Sequence, residues 1–411
     1  MPHRLQVAVL LSLALAIPAA AMPANDIIHL DNPATPRDGV VDVQLEELWR
    51  VGGDDGDLIL GLVTQVRQDG NGDLYVMDAQ LSCVHVFSEN GEHLRTIFGE
   101  GEGPGEIRGP RDMVLMDDGR VGAVQEAPGK LVFVDRQGVP AGQLEIGGPG
   151  VGHGGFCQTF SAFTNGTTLL VAGFLQKPGQ PGHLQQTSFL SRVDAEGRLV
   201  ADLARVDNDI EFATFVFEET RHLAPFWWNA AVAPDGRIYV APDLLRYEIN
   251  VFQPDGTLER VIARDQEPWP RTQADKDRFV EMVQAVYHGM PVEVQVAPVD
   301  HEPTVAYLHR GLRVHPDGSL WVLTSRGIRE PGAGAMATFD VFDPDGEFDR
   351  QVNVHGAWDG RHDGVFFLAD DRAVVVTGFA DAMLTQFTGG NMTLDLAGDA
   401  GSVEVIVCRV R

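Results

Sequence analysis

Cysteine is scarce in this chain. Cys83, Cys157 and Cys408 are the only three in 411 residues, so they cannot all pair with one another, and their spacing matches no metal-binding pattern. Cys83 and Cys408 stand in strand-like runs (CVHVF and VIVCRV), which suits buried free thiols better than a nucleophile. Positive charge is also thin: 31 Lys and Arg against 59 Asp and Glu, a net −28. Such a surface repels phosphate backbones and anionic membranes, which disfavours nucleic-acid binding. After Met22 no stretch approaches the roughly 18 apolar residues of a membrane-spanning helix. No GxSxG, HxH or HExxH is present, so there is no pattern for nucleophilic catalysis and no zinc-protease motif. Gly99–Glu106 (GEGEGPGE) is glycine-rich but lacks the lysine of a phosphate loop, and reads as a structural connection.

The amino end has its own pattern. His3 and Arg4 precede the apolar run Val7–Ile17, and Ala19–Ala21 are small. The run is too short to span a bilayer and reads as a secretory signal peptide, 1–21, cut near Ala21. No Cys follows it, so a lipoprotein anchor is not indicated. The expected address is periplasmic or secreted, with 22–411 as one domain.

The body of the chain is a repeat. Residues 229–264 hold four short strand-like runs with two Pro-Asp-Gly turns, Pro234–Gly236 and Pro254–Gly256. Asp-Gly supplies the positive φ of a tight hairpin, and β-branched, aromatic and alternating residues flank it. Related units occur at 63–97, 112–146, 159–206 and 312–354, with a degraded copy at 365–379 before a last strand, 403–410. Within units the paired turn glycines lie 19, 19, 31, 20 and 28 residues apart, and between units 28, 28, 39 and 62. A minimum near 47 residues suits four strands per blade of a β-propeller. The expected fold is all-β: a six-bladed β-propeller of four-stranded antiparallel blades. The spare strand 41–51 closes the last blade beside the C-terminal strand, leaving no sheet edge.

The insertions are uneven in a consistent way. Short Asp-Gly turns fall on one face of the disc. The long segments 174–186, 207–225, 265–307 and 326–335 fall on the other. Elaborated loops on a rigid scaffold are where binding usually resides. The segment 265–307, between blades four and five, carries the one expected helix, 272–290. Thr272 is its N-cap with Asp275 three residues on, and Phe279, Met282, Val283, Val286 and Tyr287 form its apolar stripe. The stripe packs on the disc or forms a lid over the channel mouth.

Aligning units on the first-turn glycine sets Gln65, Asp112, Thr159, Asn229, Gly311 and Val365 at one level of the innermost strands. Beside and outside that level stand Arg111, Gln158, Trp227, Trp228, His309, Arg310, His362 and Asp363. Arg111, Asp112, Gln158, Trp227, Trp228, Asn229, His309, Arg310, His362 and Asp363 are the expected ligand-binding residues at the channel mouth, a composition suited to a polar ligand or peptide. Asp69-Gly-Asn71-Gly-Asp73 has calcium-loop spacing, but Gln80 holds the twelfth position and the segment reads as a turn. His309, His315 and His362 could meet as metal ligands, though without a motif. Asn165 and Asn391 begin glycosylation sequons.

LYVMD, then VHVFSENGEHLRTIFGEGEGPGEI and PRDMVLMDDGRV, together resemble the exported six-bladed β-propeller proteins of bacteria, related to NHL-repeat propellers. The resemblance covers about 40–411, and the GxGxGPGE connection is its most specific feature. It implies an exported disc without a settled activity. Related propellers include lactonases and amidating lyases holding calcium or zinc, and others that only bind proteins or glycans. No inner-strand Glu completes a calcium set with Asp112 and Asn229, and three histidines do not fall at one level. The sequence therefore points first to a non-enzymatic protein, without a required cofactor, binding a peptide, a glycan, a small polar ligand or an exported protein. The alternative is a lactonase-like, metal-assisted hydrolase or lyase using Asp112, Asn229, Asp363 and His309 or His362 with calcium or zinc.

Overall fold

The computed structural model describes residues 27–54, 56, 58–147, 155–288, 293–368, 371–389 and 402–411. The segment read as a signal peptide, 1–21, and the sequon at Asn391 lie outside the described residues.

Asp-Gly turns set the frame. Gly72, Gly91, Gly119, Gly138, Gly236, Gly256, Gly318 and Gly346 all take φ between 85° and 92°. A side chain is strained in this conformation, which explains why glycine recurs at the same place in each unit. The aspartate before it fixes the turn: Asp235 Oδ1 accepts from Arg237 N, and Asp343 Oδ1 from Asp345 N and Glu347 N. The last unit has Asp371 in the turn, at φ 53°.

The turns fold the chain into antiparallel sheets in which spatial order follows chain order. Three four-stranded sheets come first: Val63–Gln68 to His93–Ile97, Pro110–Leu115 to Pro140–Glu145, and Phe156–Thr164 to Leu199–Glu211. A fourth runs from Ala230–Val232 to Leu258–Arg264. Apolar layers join neighbouring sheets. Tyr75 and Met77 meet Met113 and Val132; Val114 and Phe133 meet Ala162 and Phe189; Tyr239 and Ile249 meet Leu320 and Phe342. Val66 and Val76 share a cluster with Phe366, Val374 and Val407, which brings the last strands against the first sheet. Both faces of each sheet are thereby covered, so LYVMD is buried at all five positions although it scarcely alternates. The result is an all-β, propeller-like ring of sheets.

The expected division into six separate sheets is met only in part. After the fourth sheet, the described residues form one eight-stranded sheet instead of two of four strands. The cause is the length of the N-terminal strand Val40–Gly52. Its first half pairs parallel with Phe348–His355, and its second half pairs antiparallel with Glu404–Val410. Closure by the N-terminal strand beside the C-terminal strand is present, but that strand also joins two groups into one sheet. A second N-terminal strand, Ile28–Asn32, adds in parallel to Leu258–Arg264. Asn32 fixes it there, donating to Gly346 O at 3.0 Å and accepting from Phe348 N at 2.7 Å.

The long segment 174–186 is not a loop. Leu169–Pro178 and His183–Val193 stay paired out to Pro178 and Leu184, and Gln176 Nε2 donates to Gln186 Oε1 across them at 2.9 Å. Likewise Leu199–Glu211 runs as strand into the expected connection. The helix of the largest insertion spans Gln273–Val286, ending short of 290, with the reciprocal Thr272–Asp275 capping box. It is not the only helix: Glu219–His222, Ser325–Arg329 and Phe379–Phe387 are also helical. Gly99–Glu106 is a folded connection, with Ile107 N donating to Gly99 O and Gly103 N to Glu106 Oε2. All three cysteines are buried and unpaired.

Candidate functional site

The innermost strands carry a buried polar girdle. Asp112 is fully buried and its carboxylate is saturated. Oδ1 accepts from Gln65 Nε2 (2.8 Å) and Met113 N (2.7 Å); Oδ2 accepts from Ala162 N (3.1 Å) and Arg310 Nη1 (2.8 Å). Asn229 donates to Val305 O and accepts from Gly311 N. Thr159 donates to Gln125 O. The level set by the glycine alignment is thus visible as contacts from sheet to sheet. The hydrogen-bonding capacity of Asp112 and Asn229 is engaged by neighbours, so these two residues hold the sheets together.

Two cavities open on the face built from the insertions, with the helix Gln273–Val286 between them. The first, about 550 Å³, is walled by Phe160, Phe174, Phe215, Phe217, Trp227 and the helix stripe Met282, Val283, Val286 and Tyr287. The elongated third sheet supplies one side, the 212–227 segment another, and Phe387 of the C-terminal helix a third. The aromatic walls pack on one another: Phe160 lies 4.8 Å from Trp227, and Phe215 5.4 Å from Tyr287. Polar groups are a minority of the lining, among them Arg111, Glu126, Gln158, Gln176, Gln186 and His222. Arg111 is held by Glu126 (Nε to Oε2, 2.8 Å), Gln176 by Gln186, and Gln158 lines the wall. Burial lowers the His222 pKa, so that ring is a neutral polar group at neutral pH.

The second cavity, about 460 Å³, is the more polar of the two, with Arg271, Arg278, Glu302, Tyr307, His309 and His362 beside apolar liners such as Phe279, Leu308 and Ile328. Arg271 forms a buried pair with Glu219 (2.6 and 2.9 Å) and reaches Glu302 (3.2 Å). His362 Nδ1 lies 3.6 Å from Asp381. His309 is buried, with its Nε2 unpartnered among the described residues. Burial, then the Arg313 guanidinium, pushes its pKa down to about 4, against help from the backbone carbonyls of Gly360 and Arg361.

A pH dependence follows for His309. The folded form holds the ring neutral to about 4, while the unfolded chain protonates near 6.5, so acid favours unfolding. Stability from this group is intact above pH 6.5 and drains as pH falls toward 4. At pH 5 the loss is about 2 kcal/mol. The expected result is that His309→Gln loses less stability than the parent protein between pH 7 and pH 5 in denaturant titrations. Equal losses would remove the argument.

The ten expected site residues are therefore distributed. Arg111, Gln158 and Trp227 line the apolar cavity, and His309 and His362 the polar one. Asp112, Asn229 and Arg310 lie in the girdle. Trp228 packs between Tyr307, tilted against it, and Phe387, edge-on to it, each at 5.5 Å between ring centroids. Asp363 accepts from Gly378 N and Asp359 N, bracing the start of the C-terminal helix. Phe215, Phe217 and Phe387 were missed; the aromatic density of FATFVF inside a presumed loop was the available signal. Asp69 closes a turn, accepting from Asn71 N and Asp73 N. Among the described residues no group of three or more His, Cys, Asp or Glu side chains could hold a metal ion.

No family model matches this sequence, and no curated protein matches it. Among solved structures, the exported-protein candidate BF0058 of Bacteroides fragilis aligns at 10% identity and TM-score 0.46, over 93% of this chain and 99% of its own. Regucalcin of Agrobacterium tumefaciens, a calcium-binding protein, aligns at 12% and 0.43, over 90% and 96%. Virginiamycin B lyase of Staphylococcus aureus aligns at 10% and 0.37, over 82% and 83%. No function is carried over from likenesses this distant. Among the described residues no helix is long and apolar enough to cross a membrane.

Proposed function

We propose that this chain is an exported six-bladed propeller, its eight-stranded sheet being two blades joined edge to edge, that binds an apolar small ligand or an apolar peptide side chain. The observation that carries this is the 550 Å³ cavity walled mainly by aromatic and aliphatic side chains, with few polar groups among them. That volume and lining suit a compact, largely apolar organic ligand. A glycan fits poorly, because its hydroxyls would lose water against phenyl rings without gaining partners. Arg111 is neutralised by Glu126, so the cavity favours an uncharged ligand.

The test is titration with N-phenyl-1-naphthylamine, an uncharged probe that brightens in apolar surroundings. Saturable one-to-one binding is expected. Val286→Trp, at a half-buried helix position on the cavity wall, is expected to weaken it at least tenfold while circular dichroism is unchanged. Non-saturating binding, or binding indifferent to Val286→Trp, would sink the reading. The metal-assisted alternative predicts one calcium or zinc per chain by elemental analysis.

A further inference from the structure

The central channel holds more positive charge than it balances, in a protein whose net charge is −28. Arg67 and Arg313 stand two residues past Gln65 and Gly311 on the innermost strands, so period-two alternation gives them the same facing as the girdle, one step deeper. Arg310 reaches the same region from above, its backbone in the left-handed conformation at φ 50°.

Their partners are few. Arg310 Nη1 pairs with Asp112, and its Nε is buried without a partner. Arg313 donates through Nε to Arg310 O and through Nη2 to His309 O, lies 4.8 Å above the Phe366 ring, and leaves Nη1 buried and unpartnered. The Arg67 backbone pairs with Tyr75 in its sheet, but its side chain has no hydrogen bond or ion pair among the described residues. Among the described residues Asp112 is the acidic group that attracts Arg67, and Arg313 is repelled by Arg67 and Arg310 with no acidic group to offset them. Burial, then repulsion from Arg67 and Arg310, pushes the Arg313 pKa down to about 9. Arginine is otherwise a group that stays charged at any ordinary pH.

Three guanidiniums and one carboxylate leave an excess of two positive charges, Arg310 buried and Arg67 and Arg313 partly so. Unpaired enclosed charge is among the costliest features a fold can carry. Yet Arg67 and Arg313 are only half-buried, so the channel admits solutes at their level. We propose that the central channel binds a small oxyanion, of the phosphate, sulfate or carboxylate class, between Arg67, Arg310 and Arg313. The free Nη1 of Arg313, the free Nε of Arg310 and the whole Arg67 fork are its donors; planar forks of this kind match oxyanions in pairs of hydrogen bonds. The site is separate from the apolar cavity and independent of what that cavity holds.

The experiment is calorimetric titration of the full chain with inorganic phosphate, sulfate and acetate, each against sodium chloride at equal ionic strength. One-to-one binding of at least one oxyanion is expected, weakened at least tenfold in Arg67→Gln and in Arg313→Gln. Without oxyanion, both variants should melt at or above the parent temperature, because each removes an uncompensated charge. A purely structural role would lower it. No binding beyond chloride by any of the three anions, or binding unchanged in both variants, overturns the proposal. Probe binding in the apolar cavity should be unaffected by either variant, so the two readings fail separately.

Discussion

Asp112→Ala is expected to destabilise the protein by about 3–5 kcal/mol, the usual cost of removing one partner from a buried ion pair. The carboxylate accepts four hydrogen bonds, from the first sheet, its own strand, the third sheet and the segment before Leu312. Its loss leaves Gln65, Ala162 N and Arg310 unsatisfied in one place. It also removes the carboxylate that pairs with Arg310 and attracts Arg67. The midpoint in denaturant should fall, and the melting temperature by roughly 5 °C. Combining it with Arg310→Gln should recover part of the loss, since the second change removes the stranded cation. A single variant that melts with the parent, or a double variant worse than the sum of the singles, would mean that the girdle does not hold the ring.

Glu219→Ala is the second large effect, and it couples stability to the apolar cavity. Glu219 is 1% exposed. It clamps Arg271 through both oxygens and accepts from Val299 N at 3.0 Å. These contacts fasten both ends of the helical insertion to the segment before Trp227, helped by the parallel pairing of Val216–Glu218 with Gln295–Ala297. Removing the carboxylate strands a guanidinium that is 4% exposed, with Glu302 as its remaining partner. A cost of about 3 kcal/mol is expected. Because Met282, Val283 and Val286 line the cavity from that insertion, probe affinity should fall with it. Glu219→Gln, which keeps the shape and one acceptor, should retain more of both. Lost stability with unchanged probe affinity would separate the insertion from the site.

Much of this architecture is legible in the sequence because its signals are local. A Pro-Asp-Gly between alternating runs needs only its own residues to turn, and the Thr272–Asp275 box caps its own helix. The inner-strand level followed from counting to a glycine, and Gln65 does meet Asp112. What escaped depends on distance in space. The sequence of 174–186, with its glutamines, glycines and prolines, has loop composition; its strands are held where Gln176 finds Gln186 across the hairpin and Thr187 finds Asp207 on the next strand. Phe379–Phe387 follows a strand directly and resembled the tail of a worn repeat. At the candidate site, composition revealed arginines, amides and tryptophans near one face. It could not show that Asp112 and Asn229 are engaged by backbone and neighbours, nor that Phe215 and Phe217 turn inward to make a wall.

The double pairing of Val40–Gly52 also sets an order of assembly. Synthesis delivers this strand early, its parallel partner Phe348–His355 about 300 residues later and its antiparallel partner Glu404–Val410 later still. Until Glu404–Val410 appears, the second half of the strand waits unpaired beside sheets that can already fold locally, and exposed edges of this kind invite association with other chains. The ring therefore locks in one late event, and a molecule interrupted before it would hold most of its sheets while remaining an open, self-adhesive arc.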